Sequence, residues 1–222
     1  MNGTPHATDA PPQVIMRRMR REDIPQVIEI DRLSFPMPWS ANVYNYEMDH
    51  NPLSAMVVLA QAGAVPVPPA SGFGGWLRRL MGGNGHLHPS QPLFGYGGFW
   101  FSRQEAHIST IAVHPAWRGH NLGELLLAGM IRRALVMDAE IVSLEVRVGN
   151  VPAIALYRKY GFMQFGVKRS YYRDNNEDAY DLRVSPVDDL YRQRFAAHWE
   201  DLRQRLAFDD SFTEVALARR SF

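Results

Sequence analysis

The sequence has 222 residues, of which 46% are hydrophobic and 21% are charged, and its formal net charge is +1. These proportions are those of a soluble globular protein, and the length allows one well-packed domain with extensions. A nearly neutral chain gives no reason to expect nucleic-acid binding, which normally needs a strongly basic surface. The sequence has no cysteine, which excludes disulfides, thiolate metal sites and a cysteine nucleophile and suits a reducing cytoplasm.

The N-terminal region has no targeting or membrane-spanning pattern. Residues 1–13 are polar and rich in Pro, Thr and Ala, which predicts a disordered tail rather than a secretory signal. The longest mainly apolar stretch, 54–67, is shorter than the roughly 20 residues needed to cross a bilayer. We therefore expect a cytoplasmic protein that binds no membrane.

The first part of the chain predicts two strands and two helices. Residues 14–19 predict a strand, and Asp23 is a suitable cap for a helix with Pro25 in its first turn. After the segment SFPMPWS, whose prolines interrupt helical geometry, Ser40 can cap a second short helix. Residues 54–60 predict a buried strand. The apolar stripe of the first helix comprises Ile24, Val27, Ile28 and Leu33.

A region rich in glycine and proline follows these elements. Residues 62–92 contain GAVPVPPASGFGG, MGGNG and HPSQP, and only the short WLRRLM has the composition of a packed element. This pattern predicts a mobile insertion between two neighbouring strands.

The remaining elements predict an α/β or α+β domain over 14–184, built around one twisted mixed sheet. After Pro186, a helical spacing of Leu190, Phe195, Trp199 and Leu202 predicts that residues 185–222 form a C-terminal helical extension. The predicted strands are 94–102, 107–113, 141–148, 163–173 and 179–184, and the predicted helices are 121–137 and 152–160, the latter with Pro152 in its first turn and Gly161 at its end.

The loop RGHNLG opens an apolar helix. Helix N-termini expose unpaired N–H groups and partial positive charge, so they bind anions. Gly119 and Gly123 allow close backbone approach, Asn121 tolerates left-handed geometry, and Arg118 adds a positive charge. Neither the Rossmann nor the P-loop pattern is matched, so those enzyme classes are not expected. Taken alone, the loop is equally consistent with an ordinary turn.

Four segments in order resemble the GNAT superfamily of N-acetyltransferases, and within it the bacterial branch that acetylates the N-terminal alanine of a ribosomal protein. They are EIDRLSFPMPWS, ISTIAVHPAWRGHNLGELLL, LEVRVGNVPAIALYRKYGF and KRSYYRDNNEDAYDL, and they lie within 14–61 and 93–184. The acetyl-CoA loop of this superfamily has the pattern Gln/Arg-x-x-Gly-x-Gly/Ala. Arg118 matches its first position and Gly123 its last, whereas Asn121 stands where glycine is usual.

The resemblance implies a GNAT-like, mostly antiparallel sheet flanked by helices, with acetyl-CoA as co-substrate. It implies Glu145 as the general base and Tyr157 as the acid that protonates the departing CoA. The residues implied to contact the cofactor are Ile111, Ala112 and Val113 along the pantetheine arm, Arg118, Gly119, His120, Asn121, Leu122, Gly123 and Glu124 around the pyrophosphate, and Asn150.

The residue pattern is compatible with this chemistry. Strand alternation places Glu145 and Arg147 on the face opposite the apolar residues of VSLEVRV, although a solvated carboxylate would show the same pattern. Tyr157 is equally explained as a core aromatic. An α-amine has a pKa of about 7.7–8.0, so roughly a tenth is neutral at neutral pH, and one carboxylate acting through a water suffices. Without a cysteine nucleophile, direct transfer is the simplest mechanism.

The acceptor is the least determined part of the site. Trp39 and Tyr172 are candidate acceptor contacts, and both are also explained as packed aromatics. The eight histidines show no ligand spacing, so no metal site is expected. Three functions remain open: acetylation of a ribosomal-protein N-terminus, acetylation of another amine, or non-enzymatic binding of acyl-CoA or the ribosome. We expect a monomer or a weak homodimer.

Overall fold

The structure of the protein is a computed structural model that describes residues 13–63 and 91–213. The helices and strands of these residues are, in chain order, β1 (Val14–Arg18), α1 (Ile24–Ser34), α2 (Ala41–Asp49), β2 (Ser54–Gln61), β3 (Leu93–Ser102), β4 (Glu105–Val113), α3 (Leu122–Val136), β5 (Ile141–Arg147), α4 (Val151–Lys159), β6 (Met163–Tyr172), β7 (Glu177–Val184), α5 (Asp189–Arg205) and β8 (Phe208–Asp210). All helices and strands predicted within these ranges are present, with ends shifted by a few residues at most.

The strands form one sheet in the order β6-β7-β5-β4-β3-β2-β1-β8. The β4–β5 and β1–β8 pairs are parallel, and the other pairs are antiparallel. Helix α3 connects the parallel strands β4 and β5, as a crossover requires. The prediction of a mixed, mostly antiparallel sheet flanked by helices is confirmed.

Strand β2 is covered on both faces, which explains its continuous apolar run. Val57 and Leu59 belong to the main core beneath α3, α4 and α5, whereas Val58 packs in a second core beneath α1 and α2. In α1 the predicted apolar stripe is wrong at Leu33, which is 51% exposed, because Ile30 faces the core instead. Burial on both sides of the sheet fixes α3 and α1 on opposite faces of β4.

Strands β2 and β3 are antiparallel neighbours, so the chain between them connects adjacent strands, as predicted. Residues 62–92 were predicted to form a mobile insertion. Most of them, 64–90, lie outside the described residues. The predicted disordered tail likewise falls almost entirely on residues 1–12, which are also outside them.

The C-terminal extension packs against the main core. Tyr191, Phe195, Trp199 and Leu202 are buried along α5, whereas the predicted stripe residue Leu190 is 59% exposed. The prediction was wrong at this position because Tyr191 takes the inward place one residue later. Strand β8, which the sequence analysis did not predict, pairs in parallel with β1 at the sheet edge.

Truncating Phe195 tests whether α5 stabilises the whole fold. Its ring is buried between those of Tyr191 and Trp199, and we expect Phe195→Ala to lower the free energy of unfolding by about 3–5 kcal/mol. Leu190→Ala on the same helix is the matched control and should change it by less than about 0.5 kcal/mol. Urea unfolding measures both, and equal effects would contradict the packing described.

Candidate active site

The parallel pairing of β4 and β5 covers only part of each strand. It runs from the Glu105–Ile141 pair to the Ile108–Leu144 pair. Gly98 of β3 pairs with Thr110 and Phe99 pairs with Ile108, so Ser109 is the extra residue of a β-bulge. Beyond this bulge β4 remains paired with β3, while β5 is paired with β7. The strands therefore diverge, and we call the space between 109–113 and 145–147 the β4–β5 cleft.

The β4–β5 cleft exposes backbone N–H and C=O groups that would bond to a neighbouring strand in a continuous sheet. Ile111, Ala112 and Val113 pair with β3 on one side, and their other side has no strand partner in the described sheet. Peptide groups at such an edge can bind an extended ligand that carries its own amides, much as they would bind another strand. These are the three residues predicted to hold the pantetheine arm.

The loop before α3 has the left-handed geometry that its sequence predicted. Gly119 has φ +82°, and Asn121, the residue that caps α3, has φ +60°. The first helical hydrogen bond joins the N–H of Leu125 to the carbonyl of Asn121. The amides of residues 122–124 precede that bond and therefore have no acceptor within the helix. A Cβ atom at Gly119 would meet nothing within 4 Å, so the loop leaves open space for a ligand.

Arg118 and His120 brace this loop. The Nε of Arg118 donates to the carbonyl of Val113 at 3.2 Å, and a terminal nitrogen donates to Ser34 Oγ at 3.2 Å. Nδ1 of His120 lies 3.0 Å from the carbonyl oxygen of Arg118. Both side chains are exposed. The loop is thereby tied to the end of β4 and to the end of α1.

Two residues predicted to bind the cofactor direct their side chains inward. Leu122 belongs to the main core. The Glu124 carboxylate accepts hydrogen bonds from Lys159 Nζ at 2.6 Å, the Tyr160 hydroxyl at 2.9 Å and Arg205 at 3.1 Å. Burial alone would raise the pKa of Glu124, but these bonds outweigh it and lower the pKa. At both positions only the backbone N–H group is left to bind an anion. The Glu124 side chain instead joins α3 to α4 and α5.

Asn150 begins the helix that carries Tyr157. Its Oδ1 accepts a hydrogen bond from the N–H of Ala153 at 3.3 Å, and Pro152 occupies the first turn. Asn150 is exposed, so its predicted contact with the cofactor is sterically possible. Its capping role alone also accounts for an asparagine here.

Glu145 is the first residue of β5 beyond the pairing with β4, so its side chain lies where the cleft opens. Its Oε1 accepts a hydrogen bond from Lys168 Nζ at 2.5 Å, and its Oε2 lies 3.2 Å from His107 Nε2. Burial alone would raise the pKa of this carboxyl. The hydrogen bonds and charges of His107 and Lys168 outweigh the burial and hold the pKa of Glu145 at about 2.

His107 links Glu145 to a second carboxylate. Its Nδ1 lies 3.0 Å from Ser143 Oγ, and the Ser143 hydroxyl donates to Glu105. When both carboxylates are ionised, Ser143 can only accept from Nδ1 and Glu145 can only accept from Nε2. In this arrangement Nδ1 of His107 faces Ser143 Oγ and Nε2 faces the Glu145 carboxylate. His107 was not among the predicted site residues; its position between Ala106 and Ile108, both buried in β4, was the available signal.

Tyr157 is buried at the inner side of α4, with its ring centroid 5.8 Å from that of Phe162. Burial, together with the nearby Tyr172, raises the pKa of Tyr157 above its ordinary value. Within residues 13–63 and 91–213, no group hydrogen-bonds to its hydroxyl. The hydroxyl therefore keeps its proton and has no protein acceptor competing for it in this part of the chain.

Tyr172 of β6 covers a cation on β5, although β7 lies between these two strands in the sheet. The Arg147 guanidinium lies 3.9 Å from its ring centroid, and Arg147 also pairs with Asp174 and Glu177. Burial is the main reason that the pKa of Tyr172 is raised to about 12. These contacts hold the turn between β6 and β7 against β5. The adjacent Tyr171 lies nearer to the Glu145–Lys168 pair, with Lys168 Nζ 5.4 Å from its ring.

Trp39 lies in the segment 35–40, which is anchored by a buried carboxylate. The N–H of Trp39 donates to Asp31 Oδ2 at 2.5 Å, and the Tyr96 hydroxyl donates to Asp31 Oδ1. The ring of Trp39 packs 5.5 Å from that of Tyr44 at the margin of the second core. The predicted acceptor contact is thus a partly buried aromatic whose backbone position is fixed by α1.

The described residues contain no group of three or more His, Asp or Glu side chains placed to hold a metal ion. In the same ranges, no helix is both long and apolar enough to cross a membrane.

Comparison with known proteins identifies the family. The sequence profile of the Acetyltransferase (GNAT) family matches residues 24–162. The chain belongs to this family. A candidate ribosomal protein bS18-alanine N-acetyltransferase of Bacillus subtilis (strain 168) is 35% identical over 164 residues, which cover 74% of this chain and 90% of that protein. An N-alpha-acetyltransferase of Sulfurisphaera tokodaii is 34% identical over 174 residues, which cover 78% and 92% respectively.

A solved structure shows the same fold. The ribosomal-protein-S18-alanine N-acetyltransferase from Escherichia coli superposes with a TM-score of 0.61 and 22% identity, covering 80% of this chain and 97% of that one. At this identity the likeness supports the architecture alone. The protein is therefore a GNAT-fold N-acetyltransferase, a family that uses acetyl-CoA.

Substitution of Asn121 tests the left-handed loop. An alanine at φ +60° is disfavoured by roughly 1–2 kcal/mol, so Asn121→Ala should shift the loop away from its geometry and weaken CoA binding about fivefold or more. Asn121→Gly keeps the geometry accessible and should bind CoA within about twofold of the wild type. Isothermal titration with CoA measures both, and equal affinities for alanine and glycine would show that the loop geometry does not matter.

Proposed function

We propose that this protein transfers the acetyl group of acetyl-CoA to the α-amine of an N-terminal alanine, with a small-subunit ribosomal protein as acceptor. The observation that carries the proposal is the β4–β5 cleft, which has a carboxylate at its opening and a helix N-terminus beyond the end of β4. Similarity to the Bacillus subtilis protein over 90% of its length supports the choice of acceptor class.

The residues present fit acetyl-CoA. The free backbone edge at 111–113 suits the two amides of a pantetheine arm, and the open loop at Gly119 with the amides of 122–124 suits a pyrophosphate. Arg118 lies beside this loop as a further positive charge. When bound, acetyl-CoA supplies an activated thioester; the protein's residues bind it, orient it and manage the protons.

Glu145 acts on the acceptor side. A carboxyl with a pKa of about 2 is too weak a base to deprotonate directly an α-ammonium with a pKa of about 7.7–8.0. Its contribution is to bind and orient the α-amine, or a water attached to it, and to stabilise the positive charge that develops as the amine attacks. The proton then leaves through water.

Tyr157 acts on the leaving side. The Tyr157 side chain is buried and its hydroxyl is protonated. Among the described residues the hydroxyl has no competing acceptor, so it can donate to the sulfur as the carbon–sulfur bond breaks. Donation from a desolvated site stabilises the developing thiolate more than donation in water would.

Glu145→Gln and Tyr157→Phe test these roles. We expect each substitution to lower kcat for an alanine-starting peptide by roughly 10²–10⁴-fold. CoA affinity should change by less than about threefold in each variant, because Glu145 is assigned no contact with CoA and Tyr157 is assigned a contact with its sulfur alone. Matched controls are Glu140→Gln, just before β5, and Tyr46→Phe, an exposed tyrosine of α2. Mass spectrometry of the acetylated peptide provides the readout.

Full activity of both site variants would overturn the assigned mechanism. The acceptor class is tested with the wild type by comparing the peptide with its N-terminally blocked form carrying an internal lysine, and with spermidine. Preferential acetylation of either alternative would replace the proposed acceptor with a lysine or a small-molecule amine. CoA binding without transfer to any of the three would instead support a non-enzymatic role.

The pH dependence follows from the charge on Glu145. Its pKa is lowered, so the carboxylate stays ionised at every pH well above about 2 and causes no limb between pH 5 and 9. We expect log(kcat/KM) to rise with unit slope and to level off near the pKa of the peptide α-amine, about 7.7–8.0. Steady-state kinetics across this range test the expected pH profile. A limb that persists at the same pH with an acceptor of much lower amine pKa would show that a group of the enzyme titrates instead of the acceptor amine.

A further inference from the structure

The carboxylate of Glu145 has a basic partner on each oxygen. His107 occupies Oε2 from β4, and Lys168 occupies Oε1 from β6. The Glu145 side chain is 12% exposed, and that of Lys168 is 44% exposed. The side of the pair that opens to solvent is therefore the lysine side, and any acceptor amine that is to reach Glu145 meets the Lys168 ammonium first.

Lys168 is well suited to leave this position. The whole sequence has only two lysines among its 24 Lys and Arg residues. The other lysine, Lys159, is paired with Glu124 of α3. Lysine is a single charge on a flexible stem, whereas arginine forms a rigid two-point contact with a carboxylate. Ion pairs with one exposed partner are weak because solvent screens them. A competing ammonium ion can replace such a partner without disturbing the sheet.

We propose that Lys168 occupies, in the free enzyme, the position on Glu145 that the α-ammonium of the acceptor takes, and that acceptor binding displaces it. The inference rests on the proposed function in taking Glu145 as the acceptor-side carboxylate. Lys168 is then a positioning residue, since it acts through Glu145 and touches neither reacting atom.

Two consequences follow for the reaction. Only an acceptor with a cationic nitrogen can replace the Lys168 ammonium, so hydroxyl and amide groups are rejected at this step. The carboxylate is also never left without a cation, which keeps it ionised between turnovers. The titratable and charged groups that face Glu145 are His107 from β4, Asp181 and Arg183 from β7, and Lys168, Tyr171 and Tyr172 from β6.

Kinetics of Lys168→Met against the wild-type full chain test the proposal. Removal of a tethered competitor should lower KM for an alanine-starting peptide about three- to tenfold, while KM for acetyl-CoA stays within about twofold. Arg169→Met is the matched control, because Arg169 is the next residue and pairs with Asp178 instead. It should leave both KM values unchanged. Lys168→Gln repeats the test if the methionine variant does not fold.

An unchanged or raised peptide KM in the Lys168 variant overturns the proposal, since a competitor cannot then have been removed. A parallel change in the KM for acetyl-CoA also overturns it, because that indicates a general disturbance of the site.

If the wild type acetylates no peptide, the proposed function fails. The displacement of Lys168 is then tested separately by measuring peptide binding. Isothermal titration of the CoA-saturated protein with the alanine-starting peptide should then show tighter binding to Lys168→Met than to the wild type. The same peptide with a blocked N-terminus should bind both equally. Equal binding of the free peptide to both proteins, or tighter binding of the blocked peptide to the variant, overturns displacement.

Discussion

The early end of the β4–β5 pairing is the constraint on which the site depends. The bulge at Ser109 turns β4 away from β5 after the Ile108–Leu144 pair, and the two strands continue with different neighbours. If β4 and β5 remained paired beyond this point, β5 would hydrogen-bond to the backbone groups of 111–113 and the cleft would be closed. Because α3 is the crossover between these strands, its N-terminus lies just after the end of β4, next to the cleft. One interruption of the sheet thus brings an amide edge and an anion site close together.

Electrostatics gives Glu145 and Tyr157 different protonation states. Glu145 remains ionised because His107 and Lys168 outweigh its burial, whereas burial keeps Tyr157 protonated. In the proposed function, Glu145 therefore attracts the cationic acceptor, and Tyr157 offers a proton to the leaving thiolate. Hydrogen bonds to a carboxylate also join parts of the scaffold. The Glu124 carboxylate accepts from Lys159, Tyr160 and Arg205, and thereby ties the start of α3 to α4 and α5.

Local signals in the sequence predicted most of the fold. Short apolar runs predicted the strands, with clear alternation in VSLEVRV, and the Asn121 and Gly161 positions predicted the left-handed residues at helix ends. The errors arose where contacts between distant parts of the chain determine the structure. Tyr191 rather than Leu190 faces the core, and β8, with only three residues, is too short to show a sequence pattern. His107 and Lys168 were missed for a related reason. Each reaches Glu145 from another strand, 38 and 23 residues away in sequence, which no local spacing can show.

A crystal structure of the protein with bound CoA tests the central claim most directly. We expect the pantetheine arm to lie between β4 and β5, hydrogen-bonded to the backbone of 111–113. We also expect the pyrophosphate on the amides of 122–124 and the sulfur within hydrogen-bond reach of the Tyr157 hydroxyl. A structure in which β4 and β5 pair along their full length, or in which CoA binds elsewhere, would contradict this claim.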